Sequence, residues 1–126
     1  MSRYRYNQQV EPPAPFALIT LLRPLGDDAI TDLPAQLDTA ADRTVVPSHF
    51  VEEFGLIPLD EVPVLGFGGI ITKVRTCLVR LSLRSKEPVA LKVFVSGTEP
   101  HILLGRDILN GYRVLLDGPR LILEID

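Results

Sequence analysis

Between Thr76 and Leu83 every second residue is apolar and inward in type: Cys77, Val79, Leu81 and Leu83 share one parity, and Thr76, Leu78, Arg80 and Ser82 the other. This is the period-2 signature of a strand with one buried face. After the polar turn Ser85-Lys86-Glu87-Pro88 the pattern resumes, with Val89, Leu91, Val93 and Val95 alternating with Ala90, Lys92, Phe94 and Ser96. Two such runs read as an antiparallel hairpin, and a hairpin alone cannot cover its apolar face, so further strands must join it. Candidates are Phe16 to Arg23, Leu33 to Leu37, Val62 to Phe67, Ile70 to Thr76, Tyr112 to Leu116 and Leu121 to Ile125, the last two joined by Asp117-Gly118-Pro119. Only two short helices interrupt them: Ser48 is placed to cap His49 to Phe54 with Gly55 as the stop, and Arg106 to Asn110 lies between Gly105 and Gly111. Many short strands with little helix imply an all-β fold, a closed β-barrel or a sandwich, and exclude a βαβ nucleotide-binding unit.

A chain of 126 residues has material for one core and not for two lobes. Residues 1–15 are polar and then proline-rich at Pro12, Pro13 and Pro15, which reads as an extended N-terminal arm before a domain spanning 16–126. The net charge of −3 is small and dispersed, so neither nucleic acid nor an anionic membrane is an expected partner. No apolar run approaches a membrane span, the N-terminus lacks the apolar stretch of a signal peptide, and a single cysteine, Cys77, suits a reducing compartment. A cytoplasmic location is the expectation. His49 and His101 are too few and too far apart to suggest a metal site.

Three segments carry possible chemistry. Leu33 to Pro47 places Asp38 at the end of an apolar strand, followed by Thr39, Ala40, Ala41 and Asp42, and then by a β-branched stretch. Val64 to Ile71 is a glycine-rich hairpin with Gly66, Phe67, Gly68 and Gly69 at its turn; its spacing is not that of a phosphate-binding loop. His101 to Leu109 runs from an apolar stretch through Gly105 into Arg106 and Asp107. Taken singly, Asp38-Thr39 fits an ordinary strand-end turn, and Arg106-Asp107 fits a solvated helix start.

In combination and in this order, the three segments resemble the retropepsin-like aspartic proteases: the Asp-Thr/Ser-Gly-Ala/Ser loop, the flap hairpin and the hydrophobic-hydrophobic-Gly element leading through Arg into a short helix. Ala40 departs from the pattern, standing where the family usually has Gly. The resemblance implies a closed acid-protease barrel and peptide-bond hydrolysis by water, with no metal and no cofactor. It makes Asp38 and Thr39 catalytic and puts Ala40, Ala41, Asp42, Gly66, Phe67, Gly68 and Gly69 along the substrate. Gly105 and Arg106 support the site, with Arg106 paired to Asp42.

Such chemistry needs two carboxylates sharing a proton, and this chain has one Asp-Thr motif. The resemblance therefore implies a homodimer in which Asp38 faces its own copy, with terminal strands such as Leu121 to Ile125 as candidates for the interface sheet. The expected partner is a peptide or protein substrate. Ala40 keeps a second reading open, a catalytically inactive dimeric module of the same fold that binds peptide without cutting it. A third is an unrelated small β-barrel binding protein.

Overall fold

The computed structural model describes residues 1–126 as ten strands and two short helices. In chain order these are β1 (Ser2–Arg5), β2 (Phe16–Leu22), β3 (Ala29–Leu37), β4 (Val45–Pro47), α1 (Ser48–Glu53), β5 (Pro58–Leu65), β6 (Ile71–Leu83), β7 (Val89–Ser96), β8 (Ile102–Leu104), α2 (Arg106–Leu109), β9 (Val114–Asp117) and β10 (Ile122–Ile125). Six of them close a ring in the order β2-β3-β8-β4-β7-β6, with β6 returning to pair β2. The ring mixes directions: β3 runs parallel to β8 and β4 parallel to β7, while the other neighbours are antiparallel. Closure removes the barrel's open edges.

The alternating hairpin supplies one wall of the core. Cys77, Val79, Leu81 and Leu83 are buried, as are Leu91, Val93 and Val95, and they meet Ile19, Leu21, Val46, Ile102 and Leu104 from the other walls. The segments Ile70 to Thr76 and Thr76 to Leu83 form one strand, β6, of 13 residues. Its burial changes along its length because it has two jobs: residues 71–75 pair with β5 in a projecting hairpin, and the rest is barrel wall.

Several sequence expectations are corrected. Residues 1–15 are not a separate arm: β1 pairs antiparallel with β10, Tyr4 and Ala14 are buried, and the Leu37 N–H donates to the Pro15 carbonyl at 3.0 Å. The prolines keep the segment extended, but Tyr4 and Ala14 give it an apolar side that the composition concealed. Ser48 does not cap α1; Pro47, held as the last residue of β4, takes that position and Ser48 is already helical. β3 begins at Ala29, four residues before the expected start, because its first half is largely exposed and is broken by a register shift with Asp32 at φ 55°. The apolar run before Gly105 is itself a strand, β8, too short to show a period.

A second sheet, β1-β10-β9, packs Leu123 and Ile125 into the core. Both edges of β10 are occupied within the chain, by β1 on one side and β9 on the other. No helix is long and apolar enough to cross a membrane.

Candidate active site

β3 and β8 lie side by side with Leu37 opposite Leu104, and the sheet bond continues one residue further, from the Asp38 N–H to the Leu104 carbonyl at 2.9 Å. Asp38 is therefore the last residue whose backbone the sheet fixes. The chain then turns sharply. The Ala41 N–H donates to the Asp38 carbonyl at 3.2 Å, and the Ala40 N–H donates to Asp38 Oδ1 at 3.2 Å. This aspartate-centred turn orients the carboxylate, and Oδ2 has no partner within the chain. Asp38 is half-buried, whereas Thr39 and Ala40 are exposed. Neither Thr39, Ala40, Ala41 nor Asp42 has positive φ, so the loop accepts alanine at position 40 without backbone strain.

The loop is held from below by α2. The Arg106 N–H donates to the Ala41 carbonyl at 2.9 Å, and Arg106 Nη1 donates to the Thr39 carbonyl at 2.8 Å. Gly105 lies flat against the returning chain; a Cβ there would stand 2.5 Å from the Arg43 carbonyl carbon.

The expected Asp42–Arg106 pair is absent. Asp42 is exposed and makes no ion pair, because the Arg106 guanidinium is turned toward the Thr39 carbonyl instead. The carboxylate that clamps the loop is Asp107. Its Oδ2 accepts the Thr44 N–H at 2.9 Å and its Oδ1 accepts the Thr44 hydroxyl at 2.8 Å. The same hydroxyl oxygen accepts the Gly105 N–H at 3.1 Å. Thr44 is fully buried. Asp107 is thus more than a solvated helix start, and Thr44 did not stand out in the sequence. The available signal was a lone Thr leading into an apolar strand, with an acid just past the glycine of β8.

Above the barrel, β5 and the first half of β6 pair as far as Leu65 opposite Ile71, and the turn is a 3-10 segment, Phe67–Gly69. Gly66 N–H donates to the Ile70 carbonyl at 2.8 Å, and Gly68 and Gly69 take φ of 80° and 77°, which favour glycine. Phe67, at the tip, is fully exposed. No hydrogen bond links this tip to the Asp38 loop. The structure therefore gathers Asp38 to Ala41, Gly105 and Arg106 into one bonded unit and leaves Gly66, Phe67, Gly68 and Gly69 as a separate projecting hairpin.

Between the hairpin and the barrel lies an open cavity of about 460 Å³ whose apolar lining includes Val45, Val64, Val74, Phe94 and Leu103. Val45 and Leu103 are paired across β4 and β8, one residue from Thr44 and Leu104, so the cavity adjoins the Asp38 loop. These lining residues read from sequence only as strand interior. At the hairpin's base the Thr76 hydroxyl and Lys92 hold the Asp60 carboxyl below its ordinary pKa. His49 lies tilted over Phe50, and His101 meets Phe16 edge to face.

No family model and no curated protein sequence matches the chain. Solved structures do. A retropepsin-like aspartic protease from Rickettsia conorii aligns with TM-score 0.62 at 14% identity, covering 97% of this chain and 86% of its own. The EIAV protease, solved with the inhibitor HBY-793, aligns with TM-score 0.59 at 21% identity over 86% of this chain and 93% of its own. The retroviral protease-like domain of Ddi1 from Leishmania major gives 0.50 at 16% identity, with 88% of each chain covered. The fold is retropepsin-like.

Proposed function

We propose that the chain is an aspartic endopeptidase that works as a homodimer, with Asp38 of each copy forming one half of the catalytic pair. The observation that carries this reading is the position of the single Asp38 carboxylate: half-buried at the end of a barrel strand, steered by the Ala40 N–H, on a loop clamped by Arg106, Thr44 and Asp107. Rigid support of that kind is what a reacting group needs. The similarity of the fold to two proteases favours the same reading.

Two Asp38 carboxylates brought together share one proton, since like charges at that distance cannot both ionise. The ionised member takes a proton from water, whose oxygen attacks the peptide carbonyl carbon, while the protonated member donates its proton to the carbonyl oxygen. In the resulting diol one hydroxyl gives its proton to the now ionised Asp38, the nitrogen takes the proton held by the other Asp38, and the C–N bond breaks, which restores the pair with one shared proton. An extended peptide would lie between the Asp38 loops and the Gly66 to Gly69 flap, with Thr39, Ala40, Ala41 and Asp42 along its backbone and side chains in the Val45-Leu103 cavity. A cytoplasmic location belongs to this proposal.

Ala40 favours a second reading, a dimeric module that binds peptide without cleavage. The loop itself tolerates the methyl, but an exposed methyl beside Asp38 stands where substrate must pass. Incubating the protein with a diverse peptide library, with and without a transition-state-mimicking aspartic protease inhibitor, separates the two. Cleavage that the inhibitor abolishes and that Asp38→Asn lacks supports the enzyme. Saturable peptide binding with no cleavage at any pH supports the module, and cleavage retained by Asp38→Asn refutes the site.

A further inference from the structure

Between Val62 and Lys86 the chain has five cations, Lys73, Arg75, Arg80, Arg84 and Lys86, and no acid. Three of the five have partners within the fold. Arg80 donates from Nε to the Arg23 carbonyl at 2.9 Å and from Nη2 to the Gly26 carbonyl. The Arg84 guanidinium lies 5.6 Å from the centre of the Tyr4 ring, and Lys86 Nζ stands 3.9 Å from Asp126 Oδ1. Lys73 and Arg75 make no ion pair. The acids of β5 do not serve them: Asp60 is taken by Lys92 at 3.0 Å, and Glu61 stands opposite Arg75 in the ladder without forming an ion pair with it.

Both unpaired cations line the cavity between the hairpin and the barrel, alongside its valines, Phe94 and Leu103. The one acid in that lining is Glu99, from the turn after β7, and it too makes no ion pair. The cavity therefore has apolar walls and two unmatched positive charges against one negative. Walls of low dielectric focus such a field. An acidic side chain can lay its methylenes on the apolar wall and set its carboxylate against an ammonium or a guanidinium, a charge-assisted pairing. A basic side chain meets the opposite balance.

We propose that this cavity selects an acidic side chain, so that the preferred peptides carry glutamate or aspartate at the position that enters it, and that Lys73 and Arg75 set the preference. The inference rests on the peptide-binding reading of the site given above and adds the class of peptide. Glu99 opposes the two cations, so removing its charge sharpens the selection.

Peptides identical except for Glu, Gln or Lys at successive positions test it, because Gln has the shape of Glu without the charge. At one position the wild type is expected to cleave the Glu peptide with kcat/KM about tenfold above that of the Gln peptide. The ratio is expected to shrink as ionic strength rises, and as pH falls through the ordinary Glu pKa of about 4.3. Lys73→Glu combined with Arg75→Glu is expected to abolish the ratio and to favour the Lys peptide, whereas Glu99→Gln is expected to raise the ratio. All three positions are exposed, and thermal melts establish that the variants fold. Equal cleavage of the Glu and Gln peptides at every position overturns the inference and leaves the endopeptidase standing. A Glu preference that survives in the double variant overturns the assignment to Lys73 and Arg75. If the wild type cleaves no peptide, the endopeptidase reading fails, and fluorescence anisotropy with the same peptides decides the inference: tighter binding of the Glu peptide that the double variant loses supports it, and equal binding or none overturns it.

Discussion

Asp107 holds Thr44 with both carboxylate oxygens, one on the N–H at 2.9 Å and the other on the hydroxyl at 2.8 Å. The contact joins α2 to the strand that follows the Asp38 loop, and Thr44 is wholly buried. Asp107→Ala leaves a buried N–H and the proton of a buried hydroxyl without acceptors, so a loss of about 3 kcal/mol in urea unfolding is expected. Asp107→Asn keeps an acceptor and is expected to lose less than half of that. Equal stability of the alanine variant and the wild type would remove Asp107 from its role as the clamp.

Arg106 and Asp42 act separately. Arg106→Ala forfeits one charge-assisted bond to the Thr39 carbonyl at an exposed site, for an expected cost of about 1 kcal/mol. Asp42→Asn is expected to stay within about 0.5 kcal/mol of the wild type, because the side chain is exposed and unpaired. A double-mutant cycle on the two should give no coupling energy.

Gly105→Ala puts a methyl carbon 2.5 Å from the Arg43 carbonyl carbon, 2.7 Å from its oxygen and 2.9 Å from the Thr44 nitrogen. All three are backbone atoms with nowhere to rotate. Overpacking of this kind costs about 1–3 kcal/mol or more, and here it displaces the Asp38 loop. The expected result is a lowered Tm together with a fall in kcat larger than any change in KM. A crystal structure of the variant with the loop unmoved would contradict the close approach.

Burial pushes the Cys77 thiol up from 9.0 to about 11, against a smaller lowering by Arg75. The folded value exceeds the unfolded one, so the native state keeps its proton after the unfolded chain has lost it. That stabilisation is complete below pH 9 and is lost as pH rises from about 9 to about 11. Denaturation midpoints across that range should fall for the wild type and fall less for Cys77→Val. Thiol labelling of the native protein at pH 8 should be slow and should follow unfolding.

On the proposed reading, substitutions in the flap are expected to change function and hardly to change stability. Gly68→Ala forces φ near 80° on a residue with a Cβ, at a cost of about 1–2 kcal/mol. That cost falls on a hairpin tip whose residues are all exposed. The expected outcome is a Tm close to that of the wild type with kcat/KM for peptide reduced. Backbone amides from Leu65 to Ile71 should exchange quickly without inhibitor and slowly with it.

Much of the barrel was legible because two of its long strands, β6 and β7, obey strict alternation on a one-sided surface. Of the short strands, β4 was legible only as the β-branched strand after the Asp38 loop, and β8 only as an apolar run before Gly105, since three residues cannot show a period and both are held by parallel neighbours far away in sequence. β1 was hidden by its composition: a single Tyr4 among charges becomes a core residue only when β10 is beside it. At the site, Asp38, Gly105 and Arg106 could be read from local sequence. The Thr44–Asp107 clamp spans 63 positions and depends on α2 folding under the loop, and no local pattern encodes it. The Asp42–Arg106 pairing failed for the same reason, since sequence order supplied the right charges but not the direction of the guanidinium.

β6 is one unbroken strand with two tenants. From Cys77 onward nearly every second residue is sealed in the barrel; before Thr76 the side chains are mostly exposed, and Thr76, bonded to Asp60, marks the boundary. Substitutions upstream of that boundary are expected to leave folding intact, and substitutions downstream to threaten it. Evolution and the protein engineer thus find the same seam. Residues 61–75 can be diversified as a cassette, and, on the proposed reading of the site, selection for a new peptide preference there need not contend with the stability of the barrel beneath.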